Sequence, residues 1–201
     1  MNELTKEAKL EKVSLLIVKE YLLAPHKKLN IQKIALEGNV SRPWIYKYFG
    51  STEKDIILTT IDSLASQLTE TSMPDKVPTN GKDWAKHFLK GINTSLLEVE
   101  GYPDVFRFYM LTKLYPSEFS ERFKFHEELY LQKRAVPLIR QAFGFSTAEA
   151  RTMAEMIHAL RIGVAMKWLL EENKSPANRA KIIQTIKVRV FDQFTDFQQP
   201  R

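Results

Sequence analysis

Apolar residues recur along this chain at intervals of three and four, and the pattern is helical almost throughout. Val13, Leu16, Ile17 and Tyr21 form the stripe of one amphipathic helix. Pro25 lies just beyond that stripe and discourages its continuation. Asn30 can cap a short segment ending at Asn39, a residue that tolerates the left-handed backbone. Ser41 can cap a second short helix, with Pro43 in its first turn, where a missing N–H does no harm. A fourth helix is predicted from about Thr52 to about Ser72, with Ile57, Ile61, Leu64 and Leu68 on one side.

Met73 to Lys82 reads as a linker, because two prolines, Asn80-Gly81 and three charges fall close together. Five further helices are predicted at roughly 83–99, 104–115, 117–143, 146–172 and 175–198. Pro137 sits inside the third of these and should kink it. No alternating strand, β-hairpin signature or internal repeat is visible, so the expected class is all-α. The expected division is a head over residues 1–55 and a helical body over 56–201.

Composition narrows the chemistry. The 201 residues include no cysteine, which removes disulfide scaffolds, thiolate nucleophiles and zinc–cysteine sites together. No apolar run approaches the length of a spanning helix, and Met1 to Lys12 lacks the apolar region of a signal peptide. The chain is therefore expected in the cytoplasm, away from membranes. Its net charge is +6, and the excess is concentrated. Residues 26–54 carry Lys27, Lys28, Lys33, Arg42, Lys47 and Lys54 against only Glu37 and Glu53. Such a cluster is either a footprint for a polyanion or a solvated charged face.

Residues 29–49 place two short helices around the turn Gly38-Asn39-Val40. Ile34 and Ala35 face inward on the first, Val40 plugs the turn, and Ile45 and Phe49 face inward on the second. Arg42, Pro43, Trp44 and Lys47 are left near the exposed side or leading end. A short, basic, aromatic helix behind a Ser cap has the geometry of a helix-turn-helix recognition helix. Arg42 could donate to guanine O6 and N7, while Pro43 and Trp44 offer apolar surface to thymine methyls. Lys47 could reach bases or phosphates, and Ser41, Tyr46 and Tyr48 could hold phosphates. Two short helices joined by a turn also occur in proteins that bind no DNA, and the pattern alone leaves both readings open.

The stretch 31–50, IQKIALEGNVSRPWIYKYFG, resembles the signature of the tetracycline-repressor (TetR) family of bacterial transcription regulators. The matching positions are Ile34-Ala35, Val40-Ser41, Ile45-Tyr46, Tyr48-Phe49 and Gly50-Ser51, with Val13, Ile17 and Tyr21 at the family's core spacing. The resemblance spans roughly residues 10–60. Two departures stand out: Gly38-Asn39 replaces the usual Ala-Gly, and Thr52-Glu53-Lys54-Asp55-Ile56 fits the following run only with a one-residue shift.

The resemblance implies a homodimer that binds a palindromic DNA operator as a repressor and is released by a small-molecule effector. Its DNA-binding set here is Asn30, Ser41, Arg42, Pro43, Trp44, Tyr46, Lys47, Tyr48 and Lys54. Such a protein would associate with the nucleoid when bound to DNA. The alternative is an all-helical small-molecule binding protein without sequence-specific DNA binding.

In the body, residues 102–130 are dense in aromatics. Phe88, Phe106, Tyr109, Met110, Phe123, His126 and Tyr130 are the expected pocket residues, each of which could equally be core. Ile157, Leu160 and Val164, then Ile183, Ile186, Val190 and Phe194, are spaced as seams for helix packing. The resemblance implies that these seams pair two subunits. Glu155 and His158 have the spacing of a di-iron pair but lack the second copy that chemistry needs, so no metal and no cofactor are expected. No Gly-rich phosphate loop or nucleophile motif points to an enzyme.

Overall fold

The computed structural model describes residues 4–25, 27–70 and 77–191. Among them are ten α-helices and no strand. The helices are α1 (Lys6–Leu23), α2 (Ile31–Gly38), α3 (Arg42–Phe49), α4 (Glu53–Glu70), α5 (Gly81–Gly101), α6 (Pro103–Leu114), α7 (Glu118–Tyr130), α8 (Val136–Phe143), α9 (Thr147–Leu170) and α10 (Pro176–Ile186). They form two compact units, one of Met1–Thr71 with Asp104–Glu128, the other of Ser72–Pro103 with Leu129–Arg201. These packing units are not the same segments as the functional division expected at residue 55.

The first unit is built on the stripe of α1. Val13, Ile17 and Val18 are buried with Ile34 and Ala35 of α2, Ile45 and Phe49 of α3, and Ile56, Ile57, Ile61 and Leu64 of α4. Phe108 of α6 and Phe123 of α7 complete this core. Tyr21 meets Phe108 edge-on at 5.2 Å between ring centroids. Thr5 caps α1 by accepting from the Ala8 N–H at 3.2 Å, and Asn30 caps α2 by accepting from the Lys33 N–H at 3.0 Å.

α3 and α4 meet at a constrained corner. Thr52 and Asp55 cap α4 reciprocally: the Thr52 N–H donates to Asp55 Oδ2 and the Asp55 N–H to Thr52 Oγ1, both at 3.1 Å. These bonds hold the Asp55 carboxyl below its ordinary range. Gly50 turns the chain there with φ +114°, and a Cβ on it would lie 2.3 Å from Asp55 Cβ.

The second unit centres on α5. Trp84, Phe88, Ile92, Leu96 and Val99 form a buried stripe that packs against α8, α9 and α10. Trp84 and Phe88 stack at 5.4 Å. Trp168 of α9 is fully buried, and its Nε1–H donates to Glu100 Oε1 at 3.1 Å. The same oxygen accepts from Arg179 of α10 at 2.6 Å, so one carboxylate ties three helices. α9 starts with a capping box formed by Ser146 and Glu149.

The single kinked helix expected over 117–143 is instead two helices separated by a π-helical turn, Leu131–Ala135. Pro137 explains it. A proline has no N–H to donate and crowds the carbonyl four residues back. The ladder widens just before it, with the Val136 N–H donating to the Leu131 carbonyl, and α8 begins with Pro137 in its first turn. The last predicted helix runs as α10 to Ile186 and continues as a second π-helical turn, Lys187–Phe191.

Gly50→Ala should lower unfolding free energy by about 2–4 kcal/mol, because it combines a strained φ with a clash on the α4 cap. Urea denaturation measures this. Unchanged stability would mean that the corner relaxes freely.

Candidate nucleic-acid interface and cavity

α3 is presented by a sequence of local devices. Asn39 adopts the left-handed conformation, φ 53° and ψ 48°, at the end of α2. The Val40 N–H then donates to the Ala35 carbonyl at 3.0 Å, closing the turn. Ser41 Oγ accepts from the Trp44 N–H at 3.2 Å and starts α3. Ile45 and Phe49 are fully buried, which sets the rotation of the helix. Ser41, Arg42, Pro43, Tyr46 and Lys47 are consequently exposed. They form a face with two cations, a phenol and a hydroxyl.

Trp44 and Tyr48 differ from that group. Both are half-buried and pack on the core, with ring centroids 4.7 Å apart. The Tyr48 ring also carries two ammonium groups, Lys6 Nζ at 4.8 Å and Lys47 Nζ at 5.3 Å. Lys6 was not singled out from the sequence, where it is one of several alternating charges in the first turn of a helix. Asn30 is exposed but its side chain is engaged in capping α2. Lys54 is exposed and ion-paired with Glu118 of α7.

The expected pocket residues fall in both units. In the first, Phe123 is buried and stands edge-on to Tyr109 at 5.1 Å. Tyr109 donates to Glu127, which also accepts from Lys113 Nζ at 2.7 Å. Burial, then the bond and charge of Glu127, push the Tyr109 hydroxyl far up, so it stays a neutral donor. Phe106 and Met110 are half-buried. His126 Nε2 lies 2.7 Å from Asp62 Oδ1 of α4, and Arg122 grips the same carboxylate with Nε at 2.6 Å and a second nitrogen at 2.7 Å.

In the second unit, Phe88 and Tyr130 line a cavity of about 40 Å³ together with Trp84, His87, Gly91, Ala135, Leu138, Ile139, Ile157 and Arg161. Two sequence signals could have located it: Gly91 interrupts a strong helical pattern, and Arg161 interrupts the apolar run from Ile157 to Val164.

α9 also has an outward side. Ile157, Leu160 and Val164 are half-buried, and Ile157 faces the cavity. A second set, one residue earlier, is exposed: Met156, Ala159, Gly163, Met166 and Leu170. Met156 is 64% and Leu170 77% accessible. Ile183 is half-buried and Ile186 buried on α10. Phe194 and the side chain of Val190 lie outside the described residues.

Together these features define an all-helical protein with an N-terminal helix-turn-helix and a C-terminal helical domain. Comparison with solved structures finds a TetR-like transcriptional regulator from Rhodococcus sp. RHA1, with TM-score 0.54 and 12% identity, covering 93% of this chain and 97% of that one. At that identity the likeness is one of fold, and it extends over nearly the whole chain rather than the head alone. No protein-family model matches the sequence, and a search of curated proteins found none similar to it.

The Asp62 contact should be visible in the pH dependence of stability. Burial raises this carboxyl, but the bonds from Arg122 and His126 and their charges outweigh it and hold it below its ordinary value. Its contribution is therefore complete above the unfolded carboxylate range, about pH 4, and is lost as pH falls through the lower folded value. Asp62→Asn should lower the melting temperature at neutral pH, and the gap to the native chain should close in acid. A gap that stays constant down to about pH 2 would remove Asp62 as its source.

Proposed function

We propose that this chain is a ligand-responsive transcriptional repressor that binds a palindromic operator as a homodimer. One observation carries the reading: Arg42, Pro43 and Lys47 stand exposed on a helix whose rotation is locked by buried Ile45 and Phe49. The fold likeness to a TetR-like regulator supports a role in transcription. Residues 1–55 would then read DNA and 56–201 would bind effector and partner. No helix among the described residues is long and apolar enough to cross a membrane, which accords with work in the cytoplasm and on the nucleoid.

The residue roles follow from position. Arg42 reads a guanine by two hydrogen bonds, and Pro43 contacts a thymine methyl. Lys47, Tyr46, Ser41 and the amides behind it hold phosphates. Trp44 and Tyr48 act as a half-buried platform, whose outer edges meet the groove. Lys6 joins the phosphate-binding set, because its ammonium lies over the ring of Tyr48. Lys54 could reach phosphate only by leaving Glu118.

One short helix reads few base pairs. Two of them, about one helical turn apart, read a palindrome, and that requires a dimer. Support for a dimer comes from the exposed set Met156, Ala159, Gly163, Met166 and Leu170 on α9, which repeats at the three- and four-residue intervals of a helix seam. Ala159 and Gly163 at its middle would let two backbones approach closely.

Selection from random duplex DNA tests the reading. It should recover a palindrome whose half-sites are about 10 base pairs apart, with steep loss of affinity as salt rises. Arg42→Ala should cost about 1–3 kcal/mol of operator binding and relax preference at one base pair. Recovery of no preferred sequence would favour the alternative of a ligand-binding protein without sequence-specific DNA binding.

The double variant Met156→Glu, Leu170→Glu should sediment as a monomer with unchanged helix content and lose operator affinity. A variant that remains dimeric would place the seam elsewhere.

A further inference from the structure

We propose that the cavity of the second unit takes a small carboxylate with an apolar body, and that Arg161 reads its charge. This deepens the reading above by naming the chemical class of the ligand, and it is tested by binding measurements that do not involve DNA.

The cavity walls are apolar and flat: Trp84, Phe88, Tyr130, Leu138, Ile139 and Ile157. Arg161 stands among them. Its guanidinium donates to the Tyr130 hydroxyl at 3.1 Å and to Ser95 Oγ at 2.9 Å, and lies 6.0 Å from the centre of the Tyr130 ring. Both hydrogen-bond partners are neutral, and no carboxylate lines the cavity. A half-buried cation held only by hydroxyls has lost part of its hydration without gaining a counter-charge. A guanidinium has five N–H donors in a planar fork, and two of Arg161's are directed at hydroxyls. Those remaining suit the two oxygens of a carboxylate. The Tyr130 hydroxyl accepts from Arg161, so its own proton is available to the same anion.

Gly91 supplies the space. It lies inside α5 on the wall of the cavity, and a Cβ there would meet nothing within 4 Å. Glycine at such a position costs about 1 kcal/mol relative to alanine, a cost with no packing return in the empty state. Size limits the ligand further. A volume of about 40 Å³ holds a few waters and lies far below that of a cavity built for a large drug-like molecule. The body of the anion is therefore a short branched chain or a single ring, seated against Trp84, Phe88 and the open side of Gly91.

Isothermal calorimetry on the full chain tests this with benzoate and isovalerate against their neutral counterparts benzamide and isovaleramide. At least one acid should bind, about tenfold or more tighter than its amide. Arg161→Met should erase that preference. Gly91→Leu should abolish binding of all four while leaving the melting temperature equal or higher, which separates occlusion of the cavity from unfolding. Equal affinity for acid and amide, binding unaffected by Gly91→Leu, or no binding of either acid would each overturn the inference. A chain that selects a palindrome yet binds no acid refutes only this assignment. A chain that binds the acid but selects no DNA refutes only the regulator reading.

Discussion

An eight-residue helix does not hold itself in water, and everything the head could do depends on one that is held. Isolated helices shorter than about 12 residues are marginal even in favourable sequences. α3 is stabilised from behind, where Ile45 and Phe49 are removed from solvent against the α1 stripe. Each such side chain contributes about 1.5–3 kcal/mol when fully buried. The ends are fixed separately, by Asn39 and Ser41 before the helix and by Gly50 with the Thr52–Asp55 cap after it. With rotation and both ends set, Arg42 and Lys47 inherit defined directions from residues that never meet solvent.

That arrangement was legible because each device is local. A cap, a left-handed turn residue and two apolar positions four apart lie within a dozen residues. Long-range partners carry no such mark. Nothing near Asp62 announces Arg122 and His126, sixty or more positions later in the chain. For the same reason Lys54 reads as a free cation until Glu118 is seen beside it. The aromatic cluster at 102–130 indicated a pocket, but aromatic density does not separate a core wall from a cavity wall. Phe123 belongs to the first core, whereas Phe88 and Tyr130 line the cavity. On α9 periodicity supplied the interval but not the phase. Apolar residues run along two sides of that helix, so the half-buried set and the exposed set fit the same spacing.

The grip of α7 on α4 illustrates how ion pairs shape this molecule. The Arg122–Asp62 pair is two-pronged and His126 joins it, yet both partners of the pair remain well exposed. Exposed pairs contribute little to net stability because solvent screens them. Their stronger effect is on geometry, since a planar fork accepts only a narrow range of approach. In the second unit Glu100 does the comparable work under cover, accepting from both Trp168 and Arg179.

The π-helical turn at Leu131–Ala135 has a bearing on how this chain can vary. Such a turn behaves as one residue added to an α-helical ladder. Removing a residue there would restore regular hydrogen bonding, but it would also swing everything downstream by about 100° around the helix axis. Val136, Ile139 and Ala142, all buried, would then point away from their packing partners. Lineages of this protein should accordingly tolerate exchanges of side chain across 131–135 far better than any change in the number of residues.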